Sequence, residues 1–137
     1  MTPEVVVVGH VTLDHMGGRV RAGGAGLYAA LTAHRLGCST GLLTSFGPEF
    51  PQEVLPPELQ AVHIPANRTT TFRHEIGHEG RRLTLLGRAS DLEVEHLPRP
   101  WKGASLALLC PVANAVDPYL AAEFTGGAVG VGVQGWM

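Results

Sequence analysis

Short apolar runs alternate with polar and glycine-rich stretches along the chain. The run Val5-Val6-Val7-Val8 has no polar interruption, which is typical of a strand that is covered on both faces of a sheet. Residues 106–110 and 128–133 are apolar throughout, and residues 40–46 and the shorter stretch 61–64 are mainly apolar, so each predicts a further strand. Together these runs predict an α/β fold with a mostly parallel central sheet and flanking helices.

A helix is predicted at residues 24–36, between the glycine pair Gly23-Gly24 and Gly37, a residue type that commonly ends helices. Small alanines in this stretch would allow close packing. The predicted apolar face consists of Leu27, Tyr28, Leu31 and Leu36. With the strands before and after it, this helix predicts a β-hairpin-α-β unit that contains a parallel pair of strands.

Two stretches have the alternating pattern of β-hairpins. Residues 11–22 contain Gly17-Gly18 near their centre, and residues 69–88 contain His78-Glu79-Gly80, so both have a segment suited to a tight turn. We expect the two hairpins to form a small β lid over the sheet, within a single α/β domain that covers residues 1–137.

Composition and charge narrow the class of protein. The chain has 137 residues, a net charge of −2 and no basic stripe of the kind that binds nucleic acid. No apolar run is long enough to cross a membrane, and no charged leader precedes an apolar stretch. Cys38 and Cys110 lie far apart in apolar surroundings, as free thiols of a reducing compartment do. We therefore expect a cytoplasmic protein with no nucleic-acid or membrane partner.

The candidate chemistry lies around Gly23-Gly24, with Asp14 upstream of it after the valine strand. A glycine pair lets a ligand approach the backbone where a side chain would block it. The helix that follows points its free N–H groups back at such a ligand. The pattern therefore predicts a small-molecule site at the start of this helix.

These elements resemble the N-terminal part of the ribokinase-like (PfkB) carbohydrate and nucleoside kinases. The first strand leading to Gly9 and Asp14 is similar to that family's opening strand and substrate aspartate, and the two hairpins are similar to its lid. The helix region is similar to the family signature in the residues Gly23-Gly24-x-Gly26, Ala29-Ala30 and Ala33-x-Arg35-Leu36-Gly37. The start Thr69-Thr70-Thr71 of the second hairpin, followed by Gly80 and Gly87, adds to the match. The resemblance spans nearly all of this chain, but only about the N-terminal half of the family's usual length.

The resemblance implies phosphorylation of a sugar, polyol or nucleoside hydroxyl, with ATP and Mg²⁺ used by the full-length parent. Asp14 would accept hydrogen bonds from substrate hydroxyls, while Gly23 and Gly24 would lie against the substrate and offer N–H groups. Tyr28 stands where ribokinases proper have asparagine, and Ala25 where they have lysine, which argues against a ribose-type pocket. Asn114 is a further candidate contact, near the place where the family often has a glutamate.

The family places its ATP site, a glycine-rich anion hole and a catalytic aspartate in its C-terminal half. The three aspartates of this chain are Asp14, Asp91 and Asp117, and none stands in a glycine-rich turn that opens a helix. We therefore expect a truncated kinase with no catalytic residue, cofactor site or metal site in this chain, which does not transfer phosphate alone. We also expect a homo-oligomer, formed through the lid or through an exposed sheet edge at residues 128–133.

Two other motifs point elsewhere. His74-Glu75-Ile76-Gly77-His78 fits the zinc-protease pattern, but the flanks predict a strand, in which two residues four apart would lie roughly 13 Å from each other. We expect His74 and His78 to face solvent. Gly24-x-Gly26-x-x-Ala29 fits the dinucleotide fingerprint, but it follows a hairpin and not the first buried strand.

Two alternatives stay open besides the kinase: a non-catalytic half-domain that binds a small molecule, and a nicotinamide dinucleotide-binding domain. Gln134 and Trp136 are weaker candidate contacts, because ligands of α/β sheets bind beyond strand ends. His10, His15 and His34 are assigned no role.

Overall fold

The computed structural model describes residues 2–137, which fold into nine strands and one α-helix. The helix, α1, spans Ala25–Arg35. The strands in chain order are β1 (Val5–Val8), β2 (Thr12–Met16), β3 (Arg19–Gly23), β4 (Thr40–Phe46), β5 (Gln60–Pro65), β6 (Thr70–Gly77), β7 (Gly80–Gly87), β8 (Leu106–Leu109) and β9 (Ala128–Val131).

The main sheet has five strands in the order β5-β4-β1-β8-β9, and every neighbouring pair is parallel. The valines of β1 are all buried because this strand is central and both faces of the sheet are covered. Each apolar run that predicts a strand of the central sheet forms one, so the predicted α/β fold is confirmed.

The two faces of the main sheet are covered differently. On one face, α1 packs on Val5, Val7 and Leu42. On the other face, residues 88–124 supply Leu92, Trp101 and other core side chains from loops and short 3₁₀ turns. Within residues 2–137, α1 is therefore the one α-helix that flanks the sheet.

The predicted apolar face of α1 is wrong at two positions. Leu27, Ala30 and Ala33 are buried, but Tyr28 is 53% exposed and Leu36 is 77% exposed. The buried residues Gly26, Leu27, Ala30 and Ala33 recur at helical spacing and form the face that packs on the sheet. Tyr28 and Leu36 lie outside this face.

The two predicted hairpins, β2–β3 and β6–β7, form one four-stranded sheet in the order β3-β2-β6-β7. Gly17 and Gly18 make the first turn at φ 54° and 80°, which glycine adopts without strain. The hairpins are joined by parallel pairing of β2 with β6, from Thr12 opposite Thr70 to Met16 opposite His74. We call this second sheet the lid sheet.

A buried polar network links the two sheets where β1 leads into β2. His10 is fully buried, and its Nε2–H donates to the carbonyl oxygen of Ser90 at 2.7 Å. Its Nδ1 accepts from the Thr70 hydroxyl at 2.7 Å, and that hydroxyl oxygen accepts from the amide of Ala89 at 2.9 Å. Because every polar atom in this chain of contacts has a partner, the network fixes the lid sheet against the main sheet.

Within residues 2–137 there is no helix with the length and apolar character needed to span a membrane.

Candidate functional site

A cavity of about 450 Å³ lies between the lid sheet and the segments that follow β8 and β9. This position, beyond the carboxyl ends of parallel strands, is where α/β sheets bind ligands. From the lid sheet and the start of α1 it is lined by Thr12, Asp14, Gly24, Ala25, Phe72, His74, Arg81, Leu83 and Leu85. From the main sheet it is lined by Cys110, Pro111, Val112, Ala113, Gly132, Gln134, Gly135 and Met137.

Asp14 projects from β2 into this cavity with its side chain 17% exposed. Its Oδ1 accepts a hydrogen bond from the Thr12 hydroxyl at 3.1 Å. Its Oδ2 lies over Gly23, where an added Cβ would stand only 2.3 Å from that oxygen. Gly23 is therefore the residue that makes room for the carboxylate.

Gly24 begins α1 with φ 97° and ψ 143°, and a Cβ there would lie 2.9 Å from the carbonyl oxygen of His10. No side chain caps this end of the helix. Since Gly24 and Ala25 both line the cavity, the positive end of the helix dipole and the first-turn N–H groups lie beside it. The cavity thus combines one carboxylate with backbone donors.

The wall opposite the lid sheet has an unusual backbone. Ala113 and Asn114 have φ 52° and 53°, in the left-handed region that non-glycine residues seldom adopt. Arg88 donates from Nε to the carbonyl oxygen of Ala113 at 2.9 Å and from Nη2 to that of Asn114 at 3.1 Å. The amide of Asn114 donates to the carbonyl oxygen of Gly135 at 2.8 Å. These contacts keep Val112 and Ala113 against the cavity.

The prediction that His74 faces solvent is wrong. Its side chain is 13% exposed, and its Nε2 lies 3.4 Å from Asp14 Oδ1. Its Nδ1 lies 3.0 Å from Nη2 of Arg81. Parallel pairing of β2 with β6 places His74 beside Asp14, and the turn residue His78 is exposed as predicted. The alternation of side chains along a strand places Phe72 and His74 on the same face. It does not show that Asp14 lies next to them, because that requires knowledge of the strand pairing.

The other candidate contacts lie in different places. Tyr28 projects outward from α1 and does not line the cavity. Asn114 lines a separate depression of about 220 Å³ next to Asp91 and Asp117. Gln134 lines the main cavity, whereas Trp136 donates from Nε1 to the carbonyl oxygen of Val116 at 2.8 Å. Asp14, Gly24 and Gln134 therefore line the main cavity, Gly23 lies beneath the Asp14 carboxylate, and Tyr28 and Asn114 lie elsewhere.

Cys110 lines the cavity as a half-buried free thiol, and burial raises its pKa. A thiol with a raised pKa is mostly protonated at neutral pH and a poor nucleophile. Cys110 therefore serves as part of the wall.

The two competing motifs have the structural contexts that argue against them. His74-Glu75-Ile76-Gly77 lies in β6, so the zinc-protease pattern is on a strand, as expected. Among the residues that the structure describes, no three His, Cys, Asp or Glu side chains come together in a group that could hold a metal ion. The segment from Gly24 to Ala29 follows β3 of the lid sheet, whereas a dinucleotide fingerprint follows a strand of the main sheet directly.

No protein-family model and no curated protein matches the chain. Several solved structures match it in fold. A pyrophosphate-dependent kinase of the ribokinase family, complexed with a pyrophosphate analogue and myo-inositol, matches with a TM-score of 0.74 and 17% identity over 96% of this chain and 50% of that one. The ribokinase of Arabidopsis thaliana, complexed with ribose and ATP, matches with a TM-score of 0.66 and 16% identity over 98% of this chain and 55% of that one.

The fructokinase of Xylella fastidiosa with bound ATP matches with a TM-score of 0.63 and 16% identity over 88% of this chain and 46% of that one. The chain thus spans about half the length of the solved structures it matches. At these identities the match establishes the fold, and the resemblance to ribokinase-like kinases is confirmed at that level.

Proposed function

We propose that this chain is the acceptor-binding part of an ATP-dependent kinase that phosphorylates a hydroxyl group of a sugar or polyol. The observation that supports this most is the Asp14 carboxylate, which lies over Gly23 and faces a cavity at the uncapped start of α1. A carboxylate accepts several hydrogen bonds, and a polyhydroxylated ligand supplies several donors. Two of the matching kinase structures are complexed with myo-inositol or ribose, which belong to the same class of acceptor.

In this proposal each wall of the cavity has its own part in binding. Asp14 accepts from one or two hydroxyls, and the first-turn amides of α1 donate to ligand oxygens. Phe72, Leu83 and Leu85 from the lid sheet line the cavity and would pack on the C–H face of a ring. The lid sheet as a whole would exclude water from the reacting hydroxyl, which strengthens these polar contacts.

The two aspartates other than Asp14 make local contacts away from the main cavity. Asp91 pairs with Arg88, and Asp117 accepts from the amide of Tyr119 at 2.9 Å to cap a 3₁₀ turn. Neither lines the main cavity. We propose that the general base and the groups that bind ATP and Mg²⁺ are supplied from outside this chain, so that it binds the acceptor without phosphorylating it.

Titration calorimetry with myo-inositol, D-ribose and D-fructose tests this proposal. We expect binding of at least one of them, and a loss of about tenfold or more in the variant D14N, which removes a charge-assisted hydrogen bond. G23A should weaken binding similarly, because its Cβ displaces the carboxylate.

G77A is the matched control for G23A, since a Cβ at Gly77 meets no atom within 4 Å, and it should bind as the wild type does. Absence of binding of all three compounds contradicts the proposal, as does turnover of ATP or pyrophosphate by the chain alone. Tight binding of a nicotinamide dinucleotide would favour the dehydrogenase-type alternative instead. If the chain binds a sugar but no protein is found that supplies the ATP-binding part of a kinase, the non-catalytic half-domain is favoured.

We also propose that the chain self-associates and is located in the cytoplasm. β9 is an edge strand of the main sheet, and its sequence Ala128-Val129-Gly130-Val131 carries no charge that would prevent pairing with another strand. Ile76 on the lid sheet is 85% exposed and offers a second route. The free thiols of Cys38 and Cys110 are typical of a reducing compartment, which supports the location.

A further inference from the structure

His74 has a buried polar atom without a partner. Among the described residues, His74 Nε2 is the one buried side-chain nitrogen or oxygen that makes no hydrogen bond. Asp14 Oδ1 is 3.4 Å away, beyond the usual 2.7–3.2 Å of an N–H···O hydrogen bond. Buried polar groups in folded proteins almost always have a partner, so this atom calls for one.

The position of the proton on His74 follows from Arg81. A guanidinium group can only donate, so the contact from Arg81 Nη2 to His74 Nδ1 at 3.0 Å requires a lone pair on Nδ1. The ring is then neutral and carries its proton on Nε2. The short approach of Nε2 to Asp14 is therefore not an ion pair, and the Nε2–H group lies beside the carboxylate in the wall of the cavity.

We infer that His74 is a direct contact for the acceptor and that it shares one hydroxyl group with Asp14. This inference rests on the proposed function. The hydroxyl oxygen accepts from His74 Nε2–H, and the hydroxyl hydrogen goes to the Asp14 carboxylate. Because Nε2 and Oδ1 are 3.4 Å apart, a single oxygen atom can lie within hydrogen-bond distance of both.

This arrangement determines which group is recognised. A hydroxyl satisfies both residues because it donates one hydrogen bond and accepts others. An ammonium group in the same place would donate to Asp14 but could not accept from His74, and an ether oxygen could accept but not donate. His74 thus makes the site specific for a hydroxyl, and Arg81 is a positioning residue that keeps the proton on Nε2.

The experiment combines variants with ligand analogues. For whichever of myo-inositol, D-ribose and D-fructose binds wild type most tightly, its monodeoxy analogues are titrated against wild type, H74A, H74Q and H78A. We expect H74A to weaken binding of the parent compound about tenfold, as loss of one hydrogen bond to a buried group does. H74Q should recover most of this loss, since its amide can donate from a similar position, and the exposed His78 serves as the matched control, with H78A binding as wild type does.

One deoxy analogue should bind wild type about tenfold less tightly and should then be insensitive to H74A, because the shared hydroxyl is already missing. Equal losses from H74A for every analogue, or no loss with the parent compound, overturn the inference. If D14N abolishes binding while H74A does not, the proposed function stands and the inference fails. If wild type binds none of the three compounds, the proposed function fails and the inference fails with it.

The role of Arg81 has a readout that needs no ligand. Long-range ¹H–¹⁵N NMR spectra should show His74 protonated at Nε2 in wild type and a mixture of both neutral forms in R81M. R81K, which keeps a donor, should restore the wild-type spectrum. A wild-type spectrum with the proton on Nδ1 overturns the inference.

Discussion

At the scale of single residues, His10 couples the two sheets and is also sensitive to protons. Burial lowers its pKa and the positive charge of Arg88 acts in the same direction, while the hydrogen bond to the Ser90 carbonyl opposes both. A proton added to Nδ1 would remove the acceptor that the Thr70 hydroxyl uses. Folding therefore favours the neutral ring. The hydrogen bond from the Thr70 hydroxyl, at the start of β6, forms only with this neutral ring.

A pH dependence of stability follows from this lowered pKa. Below pH 6.5, the ordinary pKa of a histidine, the unfolded chain binds a proton at His10 that the folded chain does not. The free energy of unfolding should therefore be level at alkaline pH and should fall as pH drops below 6.5, by up to about 1.4 kcal/mol per pH unit from this residue. Urea titrations of wild type, H10N and the exposed control H78N at several pH values measure it. H10N should be less stable than wild type at alkaline pH, but its free energy of unfolding should fall less as pH drops. If this free energy falls as steeply in H10N as in wild type and H78N, His10 is not responsible.

At the scale of elements, the turn after β8 is where local preference and tertiary structure disagree. Ala113 adopts φ 52°, a conformation that is unfavourable for alanine. Arg88 stabilises it through hydrogen bonds to the carbonyl oxygens of Ala113 and Asn114. A left-handed residue with a Cβ costs roughly 1 kcal/mol. In this conformation the turn lines the cavity with Val112 and Ala113.

Glycine substitution tests this strain directly. A113G should raise the free energy of unfolding by about 0.5 kcal/mol, since relief of the left-handed strain exceeds the added flexibility of the unfolded chain. The neighbouring Ala115 is buried and has no positive φ, so A115G should lower the free energy of unfolding by about 1 kcal/mol. Thermal or urea unfolding of both variants measures the contrast. Destabilisation of equal size in the two variants would mean that Ala113 carries no strain.

The same scale shows what local pattern can and cannot predict. The strands of the main sheet and both hairpins were predictable, because uninterrupted apolar runs and glycine turns are local signals. The apolar face of α1 was not, because the helix packs on the sheet through Gly26, Leu27, Ala30 and Ala33, a face that leaves Tyr28 exposed. The contact between His74 and Asp14 depends on parallel pairing of β2 with β6, two strands far apart in the chain, so no local pattern reports it. Asp14, Gly23 and Gly24 could be chosen from sequence because a family signature includes them.

At the scale of the whole molecule, the sheet edges differ in how well they resist pairing with another chain. The lid edge β3 carries Arg19 and Arg21, and the main-sheet edge β5 ends at Pro65, features that disfavour strand addition. β9 has neither a charge nor a proline, and Val131 is 42% exposed. Of these three edges, β9 therefore has the fewest features that disfavour strand addition. In the proposed self-association, the exposed Ile76 of the lid sheet is the second route.

Light scattering over a range of protein concentrations, for wild type and three lysine variants, distinguishes these routes. Wild type should shift from monomer to dimer or larger species as concentration rises, because association follows mass action. V131K places a charge on the β9 edge and should reduce this association, whereas V20K adds a charge to the lid edge that already carries arginines and should leave it unchanged. Reduction by I76K alone would assign the contact to the lid sheet. A wild-type chain that stays monomeric at micromolar concentration contradicts self-association by either route. Acceptor binding is measured on the same samples, and it shows whether association changes access to the cavity.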